Sequence, residues 1–245
     1  MVIIPAVDIK DGQCVRLYQG EMDKETVYYE SPLDAARKWV EQGAELLHVV
    51  DLNGAVLGHP VHKQEVVAIC IGLGVPVELG GGLRSLGAVE EAMETGVERV
   101  VVGTAAYESQ DFLRSLCKRF PGKIVVGIDA REGRVAIKGW QKETSMDAVD
   151  LARRCESDGA SRIIYTDISR DGTGMGPNTE RTLHVARALN IPVIASGGVA
   201  SLEDIRSLKG LEEDGVEGVI VGRALYSGAF SLREAIAVTR KRNVG

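Results

Sequence analysis

Pro76-Val-Glu-Leu-Gly-Gly-Gly-Leu-Arg-Ser-Leu86 and Pro192-Val-Ile-Ala-Ser-Gly-Gly-Val-Ala-Ser-Leu202 carry one pattern twice, displaced by 192 − 76 = 116 residues. Each copy starts with a short apolar run, turns on paired glycines and enters a helical segment through a serine suited to N-capping. Three further blocks recur in the same order. Val100-Val-Val-Gly-Thr-Ala-Ala-Tyr107 matches Val219-Ile-Val-Gly-Arg-Ala-Leu-Tyr226 at 219 − 100 = 119. Ile4-Pro-Ala-Val-Asp-Ile-Lys-Asp-Gly12 matches Val125-Val-Gly-Ile-Asp-Ala-Arg-Glu-Gly133 at 125 − 4 = 121, and Gly43–Asp51 matches Gly159–Asp167 at 159 − 43 = 116. Such a displacement far exceeds the roughly 20–50 residues of a solenoid repeat, so one half of the chain repeats the other.

Outward from these blocks, eight β-branched runs are candidate strands: Val2–Val7, Glu45–Val50, Val75–Leu79, Glu98–Val102, Lys123–Ile128, Ser161–Thr166, Ile191–Ala195 and Glu217–Val221. Uninterrupted apolar stretches such as Val100-Val101-Val102 suit strands covered on both faces, as in parallel sheets. Amphipathic helical patterns lie between them, among them Pro32–Gln42, Leu86–Thr95, Met146–Ser157 and Leu202–Glu212. Ser31, Ser85 and Ser201 open three of these as caps, and Asp204 completes a capping-box pattern with Ser201. Eight β-then-α units without a Pro/Ser-rich linker predict an α/β fold, a single (β/α)8 TIM barrel built from two repeated half-barrels, approximately 1–120 and 121–245. The length of 245 residues matches the roughly 250 typical of that fold.

The composition narrows the function. Lysine and arginine number 29 against 35 acidic residues, giving net charge −6, and aromatics are only 4%. Neither a basic field nor a stacking platform for nucleic acid is present, so an anionic ligand must be caught locally. Cys14, Cys70, Cys117 and Cys155 form no C-x-x-C pair and signal neither a zinc cage nor a disulfide framework. Met1–Lys10 lacks the basic leader of a signal peptide, and no apolar stretch nears the roughly 20 residues of a membrane span. A cytoplasmic protein with no metal and no membrane partner is expected.

The matched glycines follow strands 3, 4, 7 and 8, on the face where barrel enzymes keep their active sites. Gly81, Gly82, Gly103 and Thr104 form one cluster, and Gly197, Gly198, Gly222 and Arg223 the other. A lone Gly-Gly is ordinarily a tight turn. Two matched clusters, each reinforced one unit later, favour backbone nests for two phosphates, with a helix N-terminus behind each. Arg84 and Arg223 either add charge there or are solvated surface residues.

Asp8 and Asp129 close strands 1 and 5, on opposite sides of an eight-stranded ring. Above an apolar floor, desolvation raises a carboxyl pKa toward the range useful for proton transfer. One strand-end aspartate is as often structural as functional; two at repeat-equivalent positions point to an acid–base pair. Asp51 and Asp167, the next matched pair, are read as structural acceptors for loop amides. Asp171 lies in a glycine loop, Ser169-Arg-Asp-Gly-Thr-Gly174, that reaches the site, and Thr166 replaces the Val50 of the first half. His48, inside strand 2, is either a satisfied core residue or a ligand contact. Trp140 either stacks on a planar ligand or packs its own loop.

These motifs resemble the phosphoribosylformimino-5-aminoimidazole carboxamide ribotide isomerases of histidine biosynthesis. The resemblance rests on Ile4–Gly12, Val15-Arg-Leu-Tyr-Gln-Gly20, His48-Val-Val-Asp-Leu-Asn-Gly-Ala55, Glu78-Leu-Gly-Gly-Gly-Leu-Arg84 and Thr166-Asp-Ile-Ser-Arg-Asp-Gly-Thr173, and covers nearly the whole chain. It implies an Amadori rearrangement of an aminoaldose to an aminoketose, without metal or cofactor, on a substrate bearing two phosphoribosyl groups. The family's base and acid fall on Asp8 and Asp129, its strand-6 threonine on Thr166 and its loop aspartate on Asp171, which is the acid in some members. Its stacking tryptophan falls on Trp140. Arg16, Gly20, His48 and Gly172 join the two glycine clusters as expected substrate contacts. No obligate protein partner is expected, and the chain is expected to act as a monomer. Two relatives compete: the cyclase subunit of imidazole glycerol phosphate synthase, a lyase that reads Pro-Cys-Leu-Asp where this chain has Pro5-Ala-Val-Asp8, and the dual-substrate isomerase that also accepts phosphoribosylanthranilate, with an arginine where Lys138 stands. A phosphate-ligand binding barrel without chemistry is the reading of another class, and strand-end carboxylates beside bound phosphates argue against it.

Overall fold

Eight parallel strands close on themselves in the computed structural model, which describes residues 1–18, 20–140 and 142–240. They are β1 (Val2–Lys10), β2 (Leu47–Asp51), β3 (Val77–Gly80), β4 (Arg99–Val102), β5 (Ile124–Arg131), β6 (Arg162–Asp167), β7 (Val193–Ser196) and β8 (Val216–Val221). Neighbours pair in chain order, and β8 returns to β1 with Ile4 opposite Ile220. A helix follows each strand: Pro32–Glu41, Lys63–Leu73, Leu86–Glu94, Gln110–Arg119, Ala148–Ser157, Thr179–Arg187, Leu202–Lys209 and Leu232–Arg240. The arrangement is the expected TIM barrel.

Period-two alternation divides the apolar residues into two cores. Val7, Ile9, Val49 and Val126 face outward into the layer between sheet and helices, with Trp39, Ile69 and Leu113. Ile4, Ala6, Val125, Ile164, Ile194 and Ile220 face inward and plug the barrel. Ser31, Ser85 and Ser201 cap their helices as expected, and Ser201 with Asp204 forms the full capping box. Two helix boundaries differ from expectation. The fifth helix, expected from Met146, begins at Ala148 under the cap of Asp147, because Met146 and Asp147 belong to a strand ending there. The helix opened by Ser201 ends at Lys209, and Glu212–Asp214 forms a separate 3-10 turn.

The largest departure is that β1 and β5 do not stop at Asp8 and Asp129. Both run on to a two-residue turn and fold back as hairpins, β1 with Gln13–Tyr18 and β5 with Arg134–Ile137. The turns are Asp11-Gly12, with φ of 51° and 80°, and Glu132-Gly133, with φ of 51° and 82°. Positive φ at both central residues is the signature of the type I′ turn, which matches strand twist. Further strands, Glu21–Tyr29 and Lys142–Asp147, extend the two hairpins.

Tyr226 locks the first hairpin to the barrel. Its hydroxyl donates to the Ala6 carbonyl at 2.8 Å and accepts from the Trp39 indole at 3.3 Å, with the Cys14 thiol 3.2 Å away. Its ring packs on Tyr28, Tyr29 and Trp39 at centroid separations of 5.0, 6.3 and 5.1 Å. Removing the hydroxyl strands a buried carbonyl and a buried indole N–H, which costs about 1–3 kcal/mol. Tyr226→Phe is therefore expected to lower the free energy of urea unfolding by that amount without altering the m-value; a loss below about 0.5 kcal/mol contradicts this account.

Candidate active site

Asp8 and Asp129 face the C-terminal mouth of the barrel from β1 and β5. Arg16, carried by the first hairpin, places Nη1 2.8 Å from the Asp8 carboxylate. The contact is an ion pair without hydrogen-bond geometry, so Nη1 and Nε of this buried guanidinium make no hydrogen bond. Its central carbon lies 6.0 Å from the centre of the Tyr226 ring. Burial opposes the Arg16 charge, but Asp8 and Asp171 outweigh it and hold the group above its ordinary pKa.

Across the mouth, burial pushes the Asp129 carboxyl above the usual aspartate range, against the pull of hydrogen bonds from Trp140 and Thr166 and the nearness of His48. Thr166 is the register partner of Asp129 on β6, which explains that contact. Asp171 enters from the loop after β6. Burial raises its pKa too, with Asp8 and Asp129 adding to the rise and Arg16 opposing it. The structure thus brings Asp8, Asp129, Asp171, Thr166 and Arg16 to one mouth.

The second glycine cluster opens into a cavity of about 150 Å³, lined by Arg16, Asp171, Gly172, Gly197, Gly198, Gly222 and Arg223 among others. Arg223 donates to the Gly172 carbonyl, and its guanidinium lies 5.9 Å from the Tyr18 ring centre. At the first cluster, Thr104 accepts the Lys138 amide at 3.1 Å, so the second hairpin reaches over it. Arg84 turns to the loop after β2 and donates to the Ala55 carbonyl at 2.6 Å. Trp140 lies against Gly20, where a Cβ would overlap the indole, so the two hairpins meet above the mouth.

The glycines themselves need a corrected explanation. Sequence reasoning reserves the space at Gly81 and Gly197 for phosphate oxygens. In the structure a Cβ on Gly81 would overlap the Asp51 carbonyl oxygen, and one on Gly197 would lie 2.8 Å from that of Asp167. With φ of 106° and 91°, both are glycine because the protein's own backbone crosses there. Asp51 and Asp167 do act as structural acceptors: Asp51 takes the amides of Gly54, Val61 and His62, and Asp167 takes Ser169 and the Asn178 side chain.

The floor also departs from expectation, because it is not wholly apolar. His48 Nδ1 is 2.7 Å from Glu78 Oε1, and Arg99 donates to Glu78 Oε2 at 2.7 Å through Nε, with Nη2 at 2.6 Å. Burial works against the Glu78 charge, yet His48 and Arg99 prevail and keep its pKa below the ordinary value. Sequence reading missed Glu78 and Arg99. The available signal was charge at inward positions of strands 3 and 4, where neighbouring strands carry apolar residues. It also missed the hairpins, although Asp11-Gly12 is a strong turn signal. The four cysteines are free, and burial pushes Cys14, Cys70 and Cys117 up to about 11 and Cys155 to about 12. Among the described residues no group of three His, Cys, Asp or Glu could hold a metal ion.

A family model described as "Histidine biosynthesis protein" matches residues 2–231. The chain belongs to this histidine biosynthesis family. Three of its relatives are each a 1-(5-phosphoribosyl)-5-((5-phosphoribosylamino)methylideneamino) imidazole-4-carboxamide isomerase. That of Geobacter sulfurreducens is 50% identical over 241 residues, 98% of this chain and 99% of the relative. That of Pelobacter propionicus is 52% identical over 243 residues, 99% of each chain. That of Geotalea uraniireducens is 51% identical over 245 residues, the whole of both. The resemblance seen in the motifs thus extends through the family's full length.

The raised Asp129 pKa has a consequence for stability. A carboxyl whose folded pKa exceeds its unfolded value makes the native state bind more protons, so stability falls as pH rises through that window. Asp129→Asn removes this penalty. The variant is expected to melt at or above the wild-type temperature at pH 7, with the difference fading as pH falls toward the ordinary value of 3.8. A melting temperature clearly below wild type at pH 7 that recovers in acid has the opposite sign and refutes the assignment.

Proposed function

We propose that this protein is the aldose–ketose isomerase of histidine biosynthesis, working by acid–base chemistry on a ribotide with a phosphate at each end. The observation that carries the mechanism is the pairing, at one mouth, of Asp8 beside the Arg16 cation with an Asp129 whose pKa burial raises above the ordinary aspartate value. A protonated acid donates to the ribose ring oxygen, the C1–O bond breaks, and the nitrogen lone pair forms the C1=N iminium. Asp8 then removes the proton from C2, and the C2–H electron pair moves toward the iminium to give the enolamine. Return of a proton to C1 and loss of one from the C2 hydroxyl yields the aminoketose. Asp129 is the first candidate for the acid; Asp171, with a pKa raised by burial as well, is the second.

The phosphates are assigned to the two glycine clusters. One sits in the cavity at Gly197, Gly198 and Gly222, where Arg16, paired with Asp8, also lines the wall and supplies charge. The other lies near Gly81, Gly82, Gly103 and Thr104. Residues 1–120 and 121–245 are taken as quasi-twofold halves, on the support of the matched turns and the matched Gly81 and Gly197 contacts; 241–245 lie outside the described residues. No described helix is long and apolar enough to cross a membrane, and we place the enzyme in the cytoplasm, acting as a monomer without cofactor.

Two measurements test this reading. Asp8→Asn should bind substrate with little change while turnover falls at least 100-fold, the low end of general-base contributions; retention of more than about a tenth of turnover excludes Asp8 as base. Crystals grown in sulfate should hold two anions, one near Gly103 and one near Gly198. An anion at the second cluster alone argues for a substrate with one phosphate.

A further inference from the structure

Asp8, Asp129 and Asp171 account for the protons of the reaction, but they leave unexplained a charged array inside the barrel. His48, Glu78 and Arg99 point inward from β2, β3 and β4, with His48 paired in register to Glu78 and Glu78 to Arg99. Glu78 is fully buried, the Arg99 side chain is 11% exposed and that of His48 13%. A surface-free carboxylate in this position costs stability unless it is held by partners. Leucine-like packing would plug the barrel as well, as Ile164 and Ile194 do.

The array fixes the role of Nδ1 of His48. Arg99 engages Oε2 through Nε and Nη2, and keeps Glu78 ionised. An ionised carboxylate only accepts, so at 2.7 Å the Nδ1 of His48 must be the protonated donor. That leaves Nε2 as the remaining nitrogen of the ring. Arg99 leads from Glu78 toward Glu217 at the start of β8, while His48, at the other end of the array, keeps a residual exposure. Its influence on the Asp129 carboxyl places the ring near that residue.

We propose that Glu78, anchored by Arg99, is a positioning residue for the isomerisation: by taking Nδ1–H it turns Nε2 of His48 upward as an acceptor for the hydroxyl on C2 of the sugar. Holding that hydroxyl orients the neighbouring C2–H bond toward Asp8. The proposal rests on the isomerase reading above. It assigns Glu78 no contact with substrate, and its effect passes through His48 alone.

The test is a double-mutant cycle on the full-length protein with Glu78→Gln, His48→Gln and the pair. Glu78→Gln should lower kcat about 10–100-fold, the range seen when a supporting residue behind a ligand-holding histidine is changed, with KM shifted less than about 3-fold. In the His48→Gln background the same change should cost no more than about 2-fold further. Equal losses in both backgrounds mean that Glu78 acts on the fold rather than through His48, and overturn the proposal. Because Glu78→Gln removes charge from a buried pair, a second arm uses the wild-type protein. Nitrogen-15 NMR of the histidines, with His48 assigned by its absence in His48→Gln, should show Nδ1 protonated and Nε2 unprotonated at pH 8. The Nε2-protonated tautomer overturns the proposal without any variant. A wild-type protein that does not isomerise the substrate, with His48 in the expected tautomer, defeats the isomerase reading and the Glu78 role in catalysis while leaving the array's geometry intact.

Discussion

Asp8, Asp129 and Asp171 crowd one mouth, and the 2.8 Å ion pair between Arg16 and Asp8 is what makes that crowding tolerable. Two like charges 4 Å apart repel by about 4 kcal/mol at the effective dielectric of a protein surface, and more as water is excluded. Arg16 answers for two carboxylates, because Asp171 as well as Asp8 sustains its charge. The guanidinium is set in place from below by Tyr226, whose hydroxyl is bonded to the carbonyl of Ala6, two residues before Asp8 on the same strand. Base and cation therefore share one short span of β1 and the hairpin attached to it, and Tyr226, from the short helix after β8, ties that span to the barrel. Asp129 lies outside that pairing, and there burial prevails and raises the carboxyl pKa.

The other constraint is backbone crossing backbone. Asp51 and Gly81, and likewise Asp167 and Gly197, bring two loop segments so close that no side chain fits between them. The aspartate side chains then collect the amides of the same loops. Each crossing stiffens the turn that follows β3 or β7, and the amides of Gly82 and Gly198 inherit a fixed direction. A loop that presents amides to an anion gains when its ordering is complete before the anion arrives.

The barrel was legible because its units are short and their signals agree: apolar runs, serine caps and glycine turns recur at matched positions, and all eight strands fall where those runs predict. The aspartates were legible for the same reason, since Asp8 and Asp129 stand at matched positions of the repeat, although both strands run on past them. What the pattern concealed were features that break it. Glu78 lies in an otherwise apolar strand, and its partners His48 and Arg99 come from strands 30 residues before and 21 after, a proximity that only the register of neighbouring strands creates. Glycine identity gave the location of the special turns but not their reason, because a sequence does not reveal which backbone passes behind a glycine. Arg16 likewise belongs to a stretch outside the eight expected strands, and only the folding back of that stretch on β1 brings it to Asp8.

The hairpins stand apart from the barrel in one respect. Each hangs from a continuation of a barrel strand through a two-residue turn, and Trp140 of one meets Gly20 of the other over the mouth. Asp8 and Asp129 are anchored in the strands beneath, with their neighbours set by sheet register. Selection can therefore rewrite the roof around Arg16 and Trp140, lengthening or recolouring the rest of the hairpins for a different sugar or a different ring, while those two residues keep their contacts with Asp8 and Asp129. Such a scaffold keeps its reaction and changes its clientele, and new substrates in this lineage should be sought first in the residues that follow Gly12 and Gly133.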